Sequence, residues 1–199
     1  MTKIFRLTMA QLNPTVGDLA GNAALARKVW EAGREAGADL VALPEMFIAG
    51  YQTQDLVMKQ AFTHDAMEHV DALRAACADG PAMAIGGPLL QGGKLYNAYH
   101  VLKGGRLVAQ VLKHHLPNET VFDEERLFTS GPISGPFSVD NLTRIGTPIC
   151  EDAWHEDVSE TLEESGAEIL LVPNGSPYFR DKLELPVDVD SDTAKAQAK

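Results

Sequence analysis

The chain has 199 residues, 45% of them apolar and 23% charged, enough for one domain with a sizeable core. A formal net charge of −11 disfavours phosphate backbones and anionic lipid surfaces, so neither nucleic acid nor membrane is an expected partner. Two cysteines, Cys77 and Cys150, are too few to staple a chain of this length and imply a reduced, cytoplasmic setting.

Residues 4–11 (IFRLTMAQ) predict a strand ended by the Asn13-Pro14 turn. Lys3, Arg6 and Thr8 interrupt its apolar residues too often for a signal peptide, and no apolar run approaches a membrane span. Asn22 is the expected N-cap of the next helix, with Leu25, Val29 and Ala32 inward. Residues 39–43 (DLVAL) suit a strand buried on both faces, which Pro44 stops just before Glu45. Met67, Val70, Leu73 and Cys77 mark a helix over 64–77 and place Cys77 in the core.

Residues 82–87 predict a strand, and 95–102 with 106–113 form a hairpin around Gly104-Gly105. Gly86-Gly87 and Gly92-Gly93 read as turns, since no Lys-Ser/Thr follows them to complete a phosphate cradle. A strand over 145–149 ends at Cys150. An acidic, solvated helix over 155–165 and a strand over 168–172 follow. From about Leu185 periodicity is lost, so 185–199 read as a disordered tail after a domain over 1–184. The order of elements implies an α/β layered fold with some antiparallel pairing.

Glu45, Lys113 and Cys150 each follow a predicted strand. If those strands share a sheet and a direction, the three side chains converge at one edge. Their chemistry is complementary: a thiol nucleophile, a carboxylate to take its proton, and an ammonium to meet a developing oxyanion. Such a set attacks an amide or nitrile carbon. Taken singly, each has a plainer reading, as a core thiol, a turn carboxylate and an exposed lysine.

Their surroundings sharpen the expectation. LPEMFIAGY around Glu45, LKHHLPNETVFDEERLF around Lys113 and TPICEDAW around Cys150 resemble the nitrilase superfamily of carbon–nitrogen hydrolases. Together with QLNPTVGDLAGN and PNGSPYFRDK, over about residues 4–182, they are most similar to the glutaminase domains of glutamine-dependent NAD+ synthetases. The resemblance implies a four-layer α-β-β-α sandwich, truncated here at its C-terminal end. It implies Glu45 as proton acceptor, Lys113 as oxyanion stabiliser, Cys150 as nucleophile and Glu124 as a second active-site glutamate. Read without it, Glu124 is a surface carboxylate beside Glu125.

The resemblance also implies that Ser176 and Lys182 hold the glutamine α-carboxylate, with Glu151 available to the α-amino group. Glu119 stands where the family typically has a tyrosine, so the exact amide is open. Glutamine hydrolysis would supply ammonia for ATP-dependent amidation of deamido-NAD+. The chain has no SGG-type loop, GKS loop or GxGxxG, so ATP and Mg would enter only through a synthetase domain or subunit absent here. A stand-alone amidase or nitrilase and an inactive interaction subunit are the alternatives; homo-oligomeric assembly is a further expectation.

No metal is expected. His114 and His115, with His100 and His155, lack metal-ligand spacing, and adjacent histidines on a strand point to opposite faces. Trp30 and Trp154 read as packing residues, the resemblance bringing Trp154 near the nucleophile.

Overall fold

The computed structural model describes residues 4–119 and 121–176. The predicted 185–199 tail and Lys182 lie outside them. Five strands form one sheet in the order β1 (Leu7–Met9), β2 (Leu40–Ala42), β3 (Ala82–Gln91), β4 (Lys94–Lys103) and β5 (Arg106–Leu112). The first three are parallel, and β3–β4–β5 is an antiparallel meander. A second sheet pairs β6 (Ile145–Gly146) with β7 (Ile169–Leu170) in parallel.

Alternation along the strands assigns the two faces of the large sheet. Val41, Leu43, Met83, Ile85 and Leu102 face a core built with α1 (Leu19–Glu35) and α2 (Gln60–Ala76), where Trp30, Ala66, Val70 and Leu73 are buried. Leu40, Ala42, Ala82, Ala84, Tyr99 and Val101 face the other way, onto Ile145, Ile149, Cys150 and Leu171. Leu162, from α4 (Glu156–Glu164), packs against Gly146 and so covers the second sheet from outside. The layers run helix, sheet, sheet, helix, as the resemblance implied.

Several local expectations are corrected. α1 starts at Leu19, because Asp18 accepts from the N–H of Gly21 and is the cap. Asn22 is instead buried in the first turn, exchanging hydrogen bonds with Thr15 and donating to the carbonyl of Ile48. The helix buries Ala26, Trp30 and Gly33, whereas Ala32 is exposed. α2 begins four residues earlier than its apolar spacing indicated, and β3 runs on through Gln91.

Gly92-Gly93 is a turn, with positive φ at both residues. Gly86-Gly87 is not: both lie inside β3, where a Cβ on Gly86 would come within 2.3 Å of the Met46 nitrogen. The missing side chain lets the chain after β2 cross β3 in contact, with Ile48 N–H bonded to Gly86 O at 3.0 Å. Trp30 packs as expected, its Nε1–H on Pro81 O, but Trp154 is 56% exposed and packs little.

Candidate active site

β2 and β5 run in the same direction within one sheet, with β3 and β4 between them. Glu45 and Lys113 leave those two strands at the same edge. Cys150 does not share that sheet. It follows β6 in the facing sheet and opens a short 3-10 helix, Cys150–Trp154. The three groups therefore meet across two sheets rather than along one. Cys150 has φ of 49° and Met46 of 51°, a left-handed backbone that is strained for side-chain-bearing residues.

Glu45, Lys113 and Glu124 form a buried ionic cluster. Lys113 Nζ lies 2.8 Å from Glu45 Oε1 and 2.8 Å from Glu124 Oε2. Burial opposes the ammonium charge, but Glu45 and Glu124 outweigh it and hold the Lys113 pKa above its ordinary value. For Glu124 burial comes first and raises its pKa, as does the Glu45 charge, while Lys113 opposes both. The surface reading of Glu124 is thus corrected: it is 2% exposed, on the one-turn helix α3 (Glu124–Leu127).

Two further residues hold the cluster in place. Asn97 Nδ2 donates to Glu45 Oε1 at 2.8 Å, and Asn97 O accepts from the Lys113 N–H at 2.9 Å. Tyr51 donates its hydroxyl to Glu124 Oε1 at 2.8 Å. Burial, then Glu45 and Glu124, raise the Tyr51 pKa well above the phenol range, so it stays a donor.

Cys150 is 6% exposed and adjoins this cluster. Burial and the Glu45 carboxylate push its thiol up to about 12, with Lys113 pulling the other way. At neutral pH the sulfur therefore carries its proton. Among the described residues none donates a well-aligned hydrogen bond to Glu45 Oε2, and the thiol lies within this carboxylate's side-chain reach. A weakly acidic thiol beside a buried carboxylate needs that base at the moment of attack.

Asp152 was missed by the sequence reading. It is 2% exposed, and its carboxylate accepts from three backbone N–H groups: His114 at 3.1 Å, His115 at 2.7 Å and Ile149 at 3.1 Å. It thereby ties the segment after Lys113 to the turn that carries Cys150. The only sequence signal was its place in ICEDAW.

The substrate-binding candidates are not all brought together. Glu119 and Glu151 line one open cleft of about 730 Å³, with His114, His115 and His155. Ser176 is exposed and is not among the residues lining that cleft. A second cleft, about 250 Å³, runs past Tyr51, Gln52 and Glu124. The expectation that His114 and His115 point to opposite faces is also corrected. β5 ends at Leu112, and both rings turn to one side with centroids 4.7 Å apart. His100 is buried away from them, bonded to Gln110.

Comparison with known proteins places this fold. The carbon–nitrogen hydrolase family model matches residues 6–187. A glutamine-dependent NAD(+) synthetase of Rhodobacter capsulatus is 60% identical over 185 residues, which cover 93% of this chain and 33% of that protein. One from Xylella fastidiosa is 36% identical over 185 residues, covering 92% and 34%. The chain thus spans about a third of the length of these curated relatives. Among solved structures, a glutamine-dependent NAD+ synthetase from Acinetobacter baumannii in complex with ADP superposes with a TM-score of 0.83 at 29% identity, over 88% of this chain and 33% of that one. An amidase from Nesterenkonia sp. shares the fold, with a TM-score of 0.78 at 18% identity over 96% of this chain and 71% of its own. With a family match that runs along most of its length, the chain belongs to the carbon–nitrogen hydrolases.

Proposed function

We propose that this chain hydrolyses the side-chain amide of glutamine, with Cys150 as nucleophile. Glu45 takes the thiol proton as sulfur attacks the amide carbon, and the oxygen that gains charge faces Lys113. Glu45 then returns the proton to the amide nitrogen, the C–N bond breaks and ammonia leaves a glutamyl-thioester. Water, deprotonated by Glu45, attacks the thioester; glutamate departs and the proton regenerates the thiol.

The observation that carries the proposal is the buried Glu45–Lys113–Glu124 cluster set against a protonated Cys150. Glu124 and Tyr51 act by holding Lys113 in position. In this reading Glu119 and Glu151 meet the amino-acid end of the substrate from the larger cleft, while roles for Ser176 and Lys182 rest on the family resemblance alone. The likeness to NAD+ synthetases supports glutamine and a synthetase partner that amidates deamido-NAD+ with ATP and Mg, the ammonia passing to it. The hydrolase itself needs no cofactor.

Ammonia release from glutamine, compared with asparagine and simple aliphatic amides, tests the substrate. Preference for glutamine, abolished in Cys150→Ala, is the expected result. Glu119 in the cleft favours a second reading, a stand-alone amidase for another small amide. Turnover of a different amide at higher kcat/KM than glutamine would select it. No turnover of any amide would favour an inactive interaction subunit.

A further inference from the structure

His114 and His115, which line the larger cleft, and Asp157 each present a ligand atom, all within 4.8 Å of one another. The histidines follow Lys113, and Asp157 lies in the first turn of α4, just past the Cys150 turn. Nδ1 of His114 lies 2.6 Å from the carbonyl oxygen of Gly131. A carbonyl only accepts, so Nδ1 carries the hydrogen and Nε2 of the neutral ring carries the lone pair. That Nε2 is 3.9 Å from Asp157 Oδ2, and His115 Nε2 is 2.8 Å from Asp157 Oδ1. Two imidazole nitrogens this close to one carboxylate can share a cation with it, either a proton or a metal ion. A backbone carbonyl on the opposite ring nitrogen is also the arrangement that orients a metal-ligating histidine.

We infer that His114 Nε2, His115 Nε2 and the Asp157 carboxylate bind one divalent transition ion of the zinc class. Two imidazoles and one carboxylate suit such an ion, whereas calcium and magnesium prefer all-oxygen sets. Three protein ligands leave a coordination position for water. Tetrahedral ligands at about 2.0–2.2 Å from the ion stand about 3.3–3.5 Å apart. To reach that spacing the His115–Asp157 contact must open, the His114–Asp157 pair must close, and the widest of the ligand-atom separations, up to 4.8 Å, must close most. All three side chains are partly exposed, at 31%, 26% and 51% for His114, His115 and Asp157, which leaves them room to turn. His155, stacked on His115 at 3.7 Å, fixes the plane of that ring. Glu119, Glu125 and Glu151 line the same cleft and draw cations toward it.

A bound ion ties the segment after Lys113 to the helix after Cys150, beside the cleft that both histidines line. It should stabilise that half of the molecule. The inference stands on ligand geometry and holds whether or not the chain is an amidase.

The test is calorimetric titration of untagged Cys150→Ala chain with zinc chloride, the substitution removing a competing thiol. One ion per chain is expected, and His115→Gln and Asp157→Asn should each weaken binding by at least about tenfold. Cobalt(II) should give the visible absorption of a tetrahedral site in Cys150→Ala and lose it in Asp157→Asn. The absence of saturable binding would overturn the inference and leave a proton as the bridging cation. Binding of equal strength in both ligand variants would overturn it too. Both variants alter partly exposed side chains, and melting curves will show that they are folded.

Discussion

Asp152 joins the two halves of the site through three backbone N–H groups, two beside Lys113 and one beside Cys150. Asp152→Ala should cost about 1–3 kcal/mol in urea titrations by stranding buried donors. It should also lower turnover more than its stability loss explains, because Cys150 and Lys113 lose their common anchor. Lys113→Met leaves Glu45 and Glu124 facing each other without their shared cation. It should destabilise the fold by about 3–5 kcal/mol near neutral pH, a deficit that shrinks as acid protonates Glu124, whose pKa burial raises. His100 offers an independent check. Burial lowers its pKa to about 4, against 6.5 for an exposed histidine, so between these values the unfolded chain binds the extra proton. Stability should therefore fall as pH drops from about 6.5 to about 4, by about 3 kcal/mol from this residue. In His100→Gln that difference should vanish from urea titrations across the same range. Glu45, Lys113 and Cys150 were legible because each sits in a distinctive motif. Asp152 and Asn97 were not, because nothing in a sequence says that a polar side chain turns inward to a backbone. The histidine pair was misread because the rule of alternating faces holds only within a strand, and both histidines lie past the end of β5 at Leu112.

At the scale of elements, the position of Glu45 depends on the close crossing of its loop over β3. Gly86→Ala would drive a methyl into the Met46 nitrogen and the Pro44 carbonyl, so the loop must lift and carry Glu45 away from Asn97 and Lys113. The expected outcome is a folded protein with ammonia release reduced at least about tenfold, since small misplacements at a reacting centre cost that much or more. Unchanged turnover would mean that the crossing does not position Glu45. The hairpin at Gly104-Gly105 was readable because two consecutive glycines supply the positive φ values its turn needs. Gly86-Gly87 carried the same letters with a different purpose, close approach rather than a turn, and only the three-dimensional crossing distinguishes them. The strands flanking Cys150 were recognised but overextended: β6 and β7 pair over two residues each, because apolar runs record burial and not the length of a ladder.

For the molecule as a whole, two cores join the first three layers, one beneath α1 and α2 and one between the sheets, and Leu162 of α4 packs on the outside of the second sheet. Layer order came from the resemblance; composition and periodicity reached only an α/β arrangement. Which strands face each other across the inter-sheet core depends on long-range pairing that local pattern does not encode. The five-stranded sheet with its two long helices is extensively paired, whereas the second sheet pairs two strands among the described residues. Hydrogen exchange under increasing urea should show β6, α4 and β7 opening before β3 and β4. Simultaneous opening of both sheets would contradict that division.

The most direct test of the chemistry is intact-mass and peptide analysis after treatment with an electrophilic glutamine analogue. A single adduct on Cys150, none on the buried Cys77, and labelling slowed at least about a hundredfold in Glu45→Gln is the predicted result. Labelling of Cys150 at an unchanged rate in Glu45→Gln, or no labelling of Cys150 at all, would contradict a thiol activated by that carboxylate.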